Sequence, residues 1–170
     1  MLTRIVAAID ALSRAIGRAV SLLIFAMIAI IAVEVVSRYF FNRPTAWVQD
    51  FSGWLQVAYV FLGAAFALQR GYLIRVDVVY GRLSPRTQAV IDLTFSTVLF
   101  ACFATVIIWK GLEFALASYR MGEVSASGVW GGPVWPAKFL VPIGMTLLAL
   151  AWLAQICRAA LRLMEDKSAE

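Results

Sequence analysis

The residues that could carry out chemistry are few in this sequence, and they lie at the edges of long apolar segments. Glu34 and Asp50 are carboxylates next to two such segments, and residues 70–86 combine Asp77 with four arginines. A carboxylate deep inside a membrane helix marks an ion or proton path, whereas one at a helix end stabilises the helix or pairs with a base. Arg38 follows Glu34 by four residues and shares its helix face. We therefore interpret Glu34 and Asp50 as structural rather than catalytic.

Other reactive groups are scarce as well. The sequence has no histidine, which removes the commonest metal ligand and the usual general base near neutral pH. Cys102 and Cys157 both lie within apolar runs, so we predict neither a disulfide nor thiol chemistry. A nucleophile paired with a base, a phosphate-binding loop and a metal-ligand cluster are also missing. We predict that the chain is not an enzyme and holds no catalytic, metal or cofactor site.

The composition indicates a membrane protein. Of 170 residues, 62% are hydrophobic and 15% are charged, whereas a soluble domain has about 25% charged residues. The mean hydropathy is +0.84. The net charge of +5 is spread in short basic clusters between the apolar runs, so a lipid bilayer explains it better than a nucleic-acid partner.

Four segments are long and apolar enough to cross about 30 Å of hydrocarbon as helices. The spans cover approximately residues 19–37, 47–69, 86–110 and 136–157. The first span follows a basic segment, as in a secretory signal peptide, but no Ala-x-Ala cleavage signal follows it and further spans come later. We predict that it stays attached. The chain is then a single all-α integral membrane domain over residues 1–170.

The residues ahead of the first span are amphipathic. In residues 1–17 the apolar side chains share one face of a helix and the charged side chains share the other. We predict an amphipathic helix that lies flat on the cytoplasmic leaflet, and a docking helix for a partner is the alternative. Residues 158–170 form a polar tail with no readable motif.

The basic residues predict the orientation of the chain in the membrane. Ten of the fifteen Lys and Arg residues lie in the amino-terminal segment, the second connection and the tail. By the positive-inside rule, both termini are cytoplasmic. The outer connection at about residues 121–135 is rich in Gly, Ser and Pro and is predicted to be irregular; it is either a plain tether or a contact surface for a partner. The aromatic belt at the outer boundary would comprise Trp47, Trp109, Trp130 and Trp135.

Small residues show where helices could meet. Gly63 and Ala67 form a small-xxx-small pair on the second span, with Gly53 further back. Such a pair lets another helix approach closely. The approaching helix could belong to this chain or to another subunit, and the sequence leaves both open.

The loop after the second span contains an unusual acid. A carboxylate beside anionic lipid is unfavourable unless it caps a helical turn or pairs with a base. We therefore predict that Asp77 stabilises this cytoplasmic loop, either by capping the turn that follows it or by pairing with Arg75.

Several motifs occur in a recognisable order along the chain: Arg38-Tyr39, Trp47-Val48-Gln49-Asp50, Gly63-Ala64-Ala65, Gly71-Tyr72-Leu73-Ile74-Arg75-Val76-Asp77, Leu83-Ser84-Pro85-Arg86, and Pro142 with Gly144. Together they resemble the small membrane subunit of tripartite ATP-independent periplasmic (TRAP) transporters, over about residues 38–150. The most specific part is the second helix with its following loop. Two positions depart from the family pattern. The family usually has an acidic pair where this chain has Gln49 and Asp50, and often a histidine at the position of Leu73.

The resemblance implies a role that the chemistry leaves open. In this family the small subunit has four membrane helices and forms a heterodimer with a large permease, which contains the substrate and sodium sites. A periplasmic binding protein delivers the solute, commonly an organic acid, and the small subunit enlarges the fixed scaffold of the permease. The implied location is the bacterial inner membrane, with no cofactor in this chain. The candidate interface or structural residues are Trp47, Gln49, Asp50, Gly63, Ala67, Arg75 and Asp77.

Two functions from other classes remain as alternatives at this point. A quinone-type anchor subunit of a respiratory enzyme also has few helices and a large partner, although such anchors generally hold haem through histidines. A small multidrug exporter would need an acid well inside a helix, and Glu34 lies close to the membrane edge.

Overall fold

The computed structural model describes residues 2–71, 94, 97–126 and 130–168. Its helices are α1 (Leu2–Phe40), α2 (Val48–Gln69), α3 (Thr97–Met121) and α4 (Trp135–Ser168). Each contains a stretch that is long and apolar enough to cross a membrane. The prediction of an all-α protein with four membrane-length helices is therefore confirmed. We call the end with the connections at residues 41–47 and 122–134 the loop end, and the end where α1 begins and α4 finishes the termini end.

The first helix is longer than predicted. α1 has 39 residues, which corresponds to about 58 Å. Residues 2–17 are the first turns of this helix and not a separate amphipathic helix, in contrast to the sequence prediction. Gly17, the last of these residues, is a weak helix former, but it is buried against α2, where a Cβ would lie only 2.4 Å from Cγ of Phe66. The helix therefore packs against α2 at the point where the sequence suggested a break.

The helices meet mainly through small side chains. α2 packs against α1 and α4, and α4 packs also against α3. Lipid tails are as apolar as leucine, so close packing rather than the hydrophobic effect drives such contacts. Small side chains let the helix backbones approach closely enough for such packing. Those buried at the α2–α4 and α3–α4 contacts include Ala58, Ala65, Ala104, Ala115, Ala151 and Ala154.

The end of α3 is set by a glycine. Gly122 has a positive φ of 61°, a conformation that glycine adopts without a Cβ clash. The amide of Glu123 donates to the carbonyl of Ser118 at 3.0 Å and that of Gly122 to the carbonyl of Tyr119 at 3.2 Å. This is the Schellman pattern, which closes a helix by satisfying its last carbonyls. It leads the chain from Met121 directly into the second connection at the loop end.

Candidate functional site

Glu34 joins the last turns of α1 to the first connection at the loop end. Its Oε1 accepts hydrogen bonds from Nε and Nη2 of Arg38 at 3.1 and 2.6 Å, which confirms that the two side chains share a face. Its Oε2 accepts a 2.9 Å hydrogen bond from the amide of Thr45 and another from the Thr45 hydroxyl. The side chain of Glu34 is only 13% exposed. The carboxylate therefore holds the connection against α1.

Asp50 joins α2 to the second connection. It lies in the first turn of α2 and is buried, and its Oδ1 accepts a 2.5 Å hydrogen bond from the hydroxyl of Ser125. The position at the start of the helix suits a negative charge, as the sequence indicated. Ser125 is 75 residues further along the chain, and no sequence signal pointed to it.

The second connection has more order than predicted. Val124 and Pro133 form an antiparallel bridge, the amide of Ser125 donates to the carbonyl of Gly132 at 2.8 Å, and that of Val134 donates to the carbonyl of Glu123 at 3.2 Å. The prediction of an irregular segment missed this pairing, because so short a bridge leaves no periodic pattern. The two arms of the connection are thereby held together.

An ion pair fastens the same connection to α4. Nζ of Lys138 donates to Oε2 of Glu123 and lies 3.8 Å from the ring centre of Phe114 on α3. The hydrogen bond from Lys138 lowers the pKa of Glu123 below its ordinary value. Glu123 therefore stays ionised at neutral pH, and the pair links the connection with both α3 and α4.

The glycines that allow close helix contacts are only partly those that the sequence indicated. A Cβ on Gly63 would lie 3.5 Å from Cγ1 of Val20, so Gly63 faces α1 of this chain. Ala67, its predicted companion, is half-buried. Among the described glycines, Gly144 comes closest to the backbone of another helix, and the sequence did not indicate this contact. A Cβ on Gly144 would lie 2.6 Å from the backbone of Phe61, which brings α2 and α4 together.

The remaining candidates lie at the surface or outside the described residues. Trp47 is 38% exposed and meets Phe51 edge to face, with ring centres 6.1 Å apart. Gln49 is exposed on the first turn of α2. Arg75 and Asp77 lie outside the described residues, so the predicted role of their loop remains a prediction.

The structure corrects the predicted positions of Trp109 and Lys110. α3 continues to Met121, so Trp109 lies about 18 Å before the loop end of the helix. The predicted third span ends at Lys110, which would put both residues near the outer boundary. Lys110 instead pairs with Glu113 within the helix, Nζ to Oε2 at 2.7 Å. The helix continues beyond the pair to Met121.

An unpredicted cluster fastens the termini end. Both carboxylate oxygens of Asp10 on α1 accept hydrogen bonds from Nη1 of Arg158 on α4, at 2.8 and 2.6 Å. Nε2 of Gln69, at the end of α2, donates to the backbone carbonyl of Asp10 at 3.3 Å. Three helices are thus joined at one point by residues 59 and 148 positions apart.

The polar side chains of the described residues form no metal site and instead bind one another. Among the described residues, His, Cys, Asp and Glu form no group of three that could hold a metal ion. The five carboxylates with described side chains each accept a hydrogen bond from this chain, and four of those bonds come from basic side chains. With four helices long and apolar enough to cross a membrane, the protein is a multi-pass membrane protein, and four of the five described carboxylates fasten one segment to another.

Comparison with known proteins identifies the family. Residues 27–162 match the family of tripartite ATP-independent periplasmic transporters, DctQ component. A protein of Haemophilus influenzae that is described as a TRAP transporter small permease is 26% identical over 118 residues, which cover 67% of this chain and 73% of the relative. The chain belongs to the DctQ component family of TRAP transporters.

The family assignment decides between the functions considered above. The chain is a transport component and not an enzyme, and it is a multi-pass protein of the inner membrane. The resemblance seen in the sequence motifs is thereby confirmed. The assignment replaces the respiratory anchor and the multidrug exporter, neither of which belongs to this family.

Proposed function

We propose that this chain is the fixed scaffold subunit of a sodium-coupled, binding-protein-dependent importer of an organic acid. TRAP family membership implies, in general, work with a large permease and a periplasmic binding protein. In the proposed arrangement the large permease contains the sodium and substrate sites. This chain pairs with the large permease and contributes helices but no cofactor.

The way the carboxylates are used supports this role. Asp10, Glu34, Asp50, Glu113 and Glu123 are each engaged within the chain. Ionisable side chains inside membrane helices commonly mark ion, proton or substrate paths, where they face a cavity. Four of these five groups instead join two segments of one helical arrangement, which suits a subunit that stays still while its partner moves.

We propose further that the loop end faces the periplasm. Ten of the fifteen basic residues support this orientation, and the exposed Arg4 and Arg18 would then lie on the cytoplasmic side with the amphipathic first turns of α1 at headgroup level. Single cysteines at Thr3 and Ser168 should resist a membrane-impermeant thiol reagent in intact cells, whereas one at Ser127 should react. Labelling of the first two but not the third would reverse the proposed orientation.

Reconstitution tests the scaffold role. Liposomes with this chain alone should take up no organic acid under a sodium gradient. Liposomes with this chain, the large permease and the binding protein should take it up. The large permease and binding protein without this chain serve as the matched control and should be much less active.

Two results would contradict the proposal. Sodium-dependent uptake by the isolated chain would show that it contains its own substrate path. Full uptake in the control that lacks this chain would show that the permease needs no scaffold from it.

A further inference from the structure

An exposed surface on α3 contains two charged side chains and is poorly suited to contact with lipid. It consists of Trp109, Lys110 and Glu113, and we call it the α3 patch. The side chains of Lys110 and Glu113 are 70% and 55% exposed, and their charged atoms are 2.7 Å apart. Nζ of Lys110 also lies 6.0 Å from the ring centre of Trp109, which is itself 66% exposed. The opposite face of α3 is already covered, because Ala115 and Ser118 are buried at the contact with α4.

The α3 patch lies at the depth of the bilayer interior. A Cβ on Gly111 would be 3.5 Å from Cδ of Pro142, and one on Gly144 would be 2.6 Å from the backbone of Phe61. Lys110 is therefore about level with Phe61. In α2, which runs Val48–Gln69, Phe61 is about 20 Å from the first residue and about 12 Å from the last. Both distances exceed the reach of a lysine side chain.

Lipid is an unfavourable cover for this surface. Charged side chains at the centre of a bilayer are costly, and those that occur almost always face protein or a water-filled cavity. Lys110 is committed to Glu113, one turn nearer the loop end, and does not extend to the termini end. Among the described residues the pair joins no second helix, so the described part of the fold does not account for it.

A second copy of the chain is also a poor cover. Two copies in the same membrane orientation are related by a twofold axis along the membrane normal, so a residue near the axis meets its own counterpart at the same depth. Lys110 would then face Lys110 and Glu113 would face Glu113. Like charges opposed across an interface are strongly unfavourable.

We propose that the α3 patch is the surface on which the large permease subunit docks, through a membrane helix that carries polar groups complementary to the Lys110–Glu113 pair. A different membrane protein can offer an acceptor to the ammonium group and a donor to the carboxylate at fixed positions. Trp109 would supply the large apolar contact beside them. The inference rests on the proposed pairing of the two subunits, and it specifies the surface of this chain at which they meet.

Photo-cross-linking in membranes tests the position of the interface. Benzoyl-phenylalanine replaces Val106 or Ala117, which lie one turn to either side of the pair on the exposed face, in cells that also express an affinity-tagged large permease. Ala26, exposed on α1, is the matched control. Irradiation should produce a band at the summed mass of the two subunits from Val106 and Ala117, at least about tenfold stronger than from Ala26. A band at twice the mass of this chain, or no band, at both patch positions would overturn the proposal.

A charge swap separates docking from a merely internal ion pair. Lys110→Glu with Glu113→Lys keeps an ion pair within α3 but reverses its direction relative to a partner. Docking predicts that the swapped chain retains about tenfold less large permease during affinity purification, because its charges then oppose those of the partner. Unchanged retention would show that the pair serves α3 alone and would overturn the proposal.

Purification of the wild-type complex separates a failure of the proposed subunit pairing from a failure of the proposed interface. If the tagged permease does not retain the wild-type chain, the proposed pairing fails and the patch fails with it. If it retains the wild-type chain while the cross-links form at Ala26 and not at the α3 patch, the pairing stands and the interface lies on α1.

Discussion

The loop end and the α3 patch contain the same kinds of charged groups, but they use them differently. At the loop end Asp50 meets Ser125 across 75 residues and Lys138 meets Glu123 across 15. On α3, Lys110 meets Glu113 across three. A pair between distant segments constrains the fold, whereas a pair within one helix turn constrains only two side chains. The difference indicates that the loop end serves the fold and that the α3 patch is free to serve a partner.

The largest effect is expected from a substitution that disrupts the crossing of α2 and α4, on which both regions depend. Gly144→Val would force side-chain atoms into the backbone of Phe61, where even a Cβ would be 2.6 Å away. Overpacking of this kind costs about 1–3 kcal/mol or more, because α2 and α4 must separate. The loss of stability is measured by thermal unfolding of the purified chain in detergent. Gly53→Val is the matched control, since nothing lies within 4 Å of a Cβ on Gly53, and equal losses from both variants would contradict the crossing.

The next effect tests whether the loop end constrains the fold. Ser125→Ala removes the hydroxyl that donates to Asp50, and a hydrogen bond to a charged group contributes about 1.5–3 kcal/mol. Ser52→Ala is the matched control, because the Ser52 hydroxyl donates only to the carbonyl of Gln49 within α2. Thermal unfolding should show a clear loss for Ser125→Ala and almost none for Ser52→Ala. Similar unfolding midpoints for the two variants would show that the contact at the loop end constrains the fold no more than a contact within one helix.

A smaller effect should appear in the pH dependence of stability. The hydrogen bond from Lys138 lowers the pKa of Glu123 from its ordinary value of 4.5. The stabilisation is therefore complete above about pH 4.5 and is lost as the pH falls through the lowered folded-state pKa. The difference in unfolding midpoint between the wild type and Glu123→Gln should be constant from pH 7 to 5 and should shrink below that range. A difference that grew on acidification would have the wrong sign for this ion pair.

The smallest effect is expected at the α3 patch of the isolated chain. Lys110→Gln with Glu113→Gln removes an exposed pair that, in the described part of the chain, joins no second element. Exposed pairs contribute little to stability. The unfolding midpoint should stay within about 2 °C of the wild type. The same variant should lose affinity for the large permease, as measured by retention during purification. A large drop in the stability of the isolated chain would give the pair a role in the fold and would weaken the contrast with the loop end.

Local patterns in the sequence predicted much of the architecture. Four apolar segments indicated four membrane helices, because a backbone in lipid must satisfy its hydrogen bonds within each helix. The i,i+4 spacing of Glu34 and Arg38 likewise predicted their contact. The order of the motifs around Trp47 and Gly63 was sufficient to indicate the family. Each of these signals lies within a few residues of chain or along a single helix, and so it is visible without coordinates.

What only the tertiary structure decided involves residues far apart in the chain. The contacts of Asp10 with Arg158 and of Asp50 with Ser125 depend on how the helices pack, and no spacing rule relates residues 148 or 75 positions apart. The depth of Lys110 was decided in the same way. Hydropathy alone ended the third span at this lysine, whereas the length of α3 and the contact of Gly111 with Pro142 place Lys110 midway along the helix, on its exposed face. A helix position relative to its neighbours is set by side-chain packing between helices, which the order of residues along one of them does not contain.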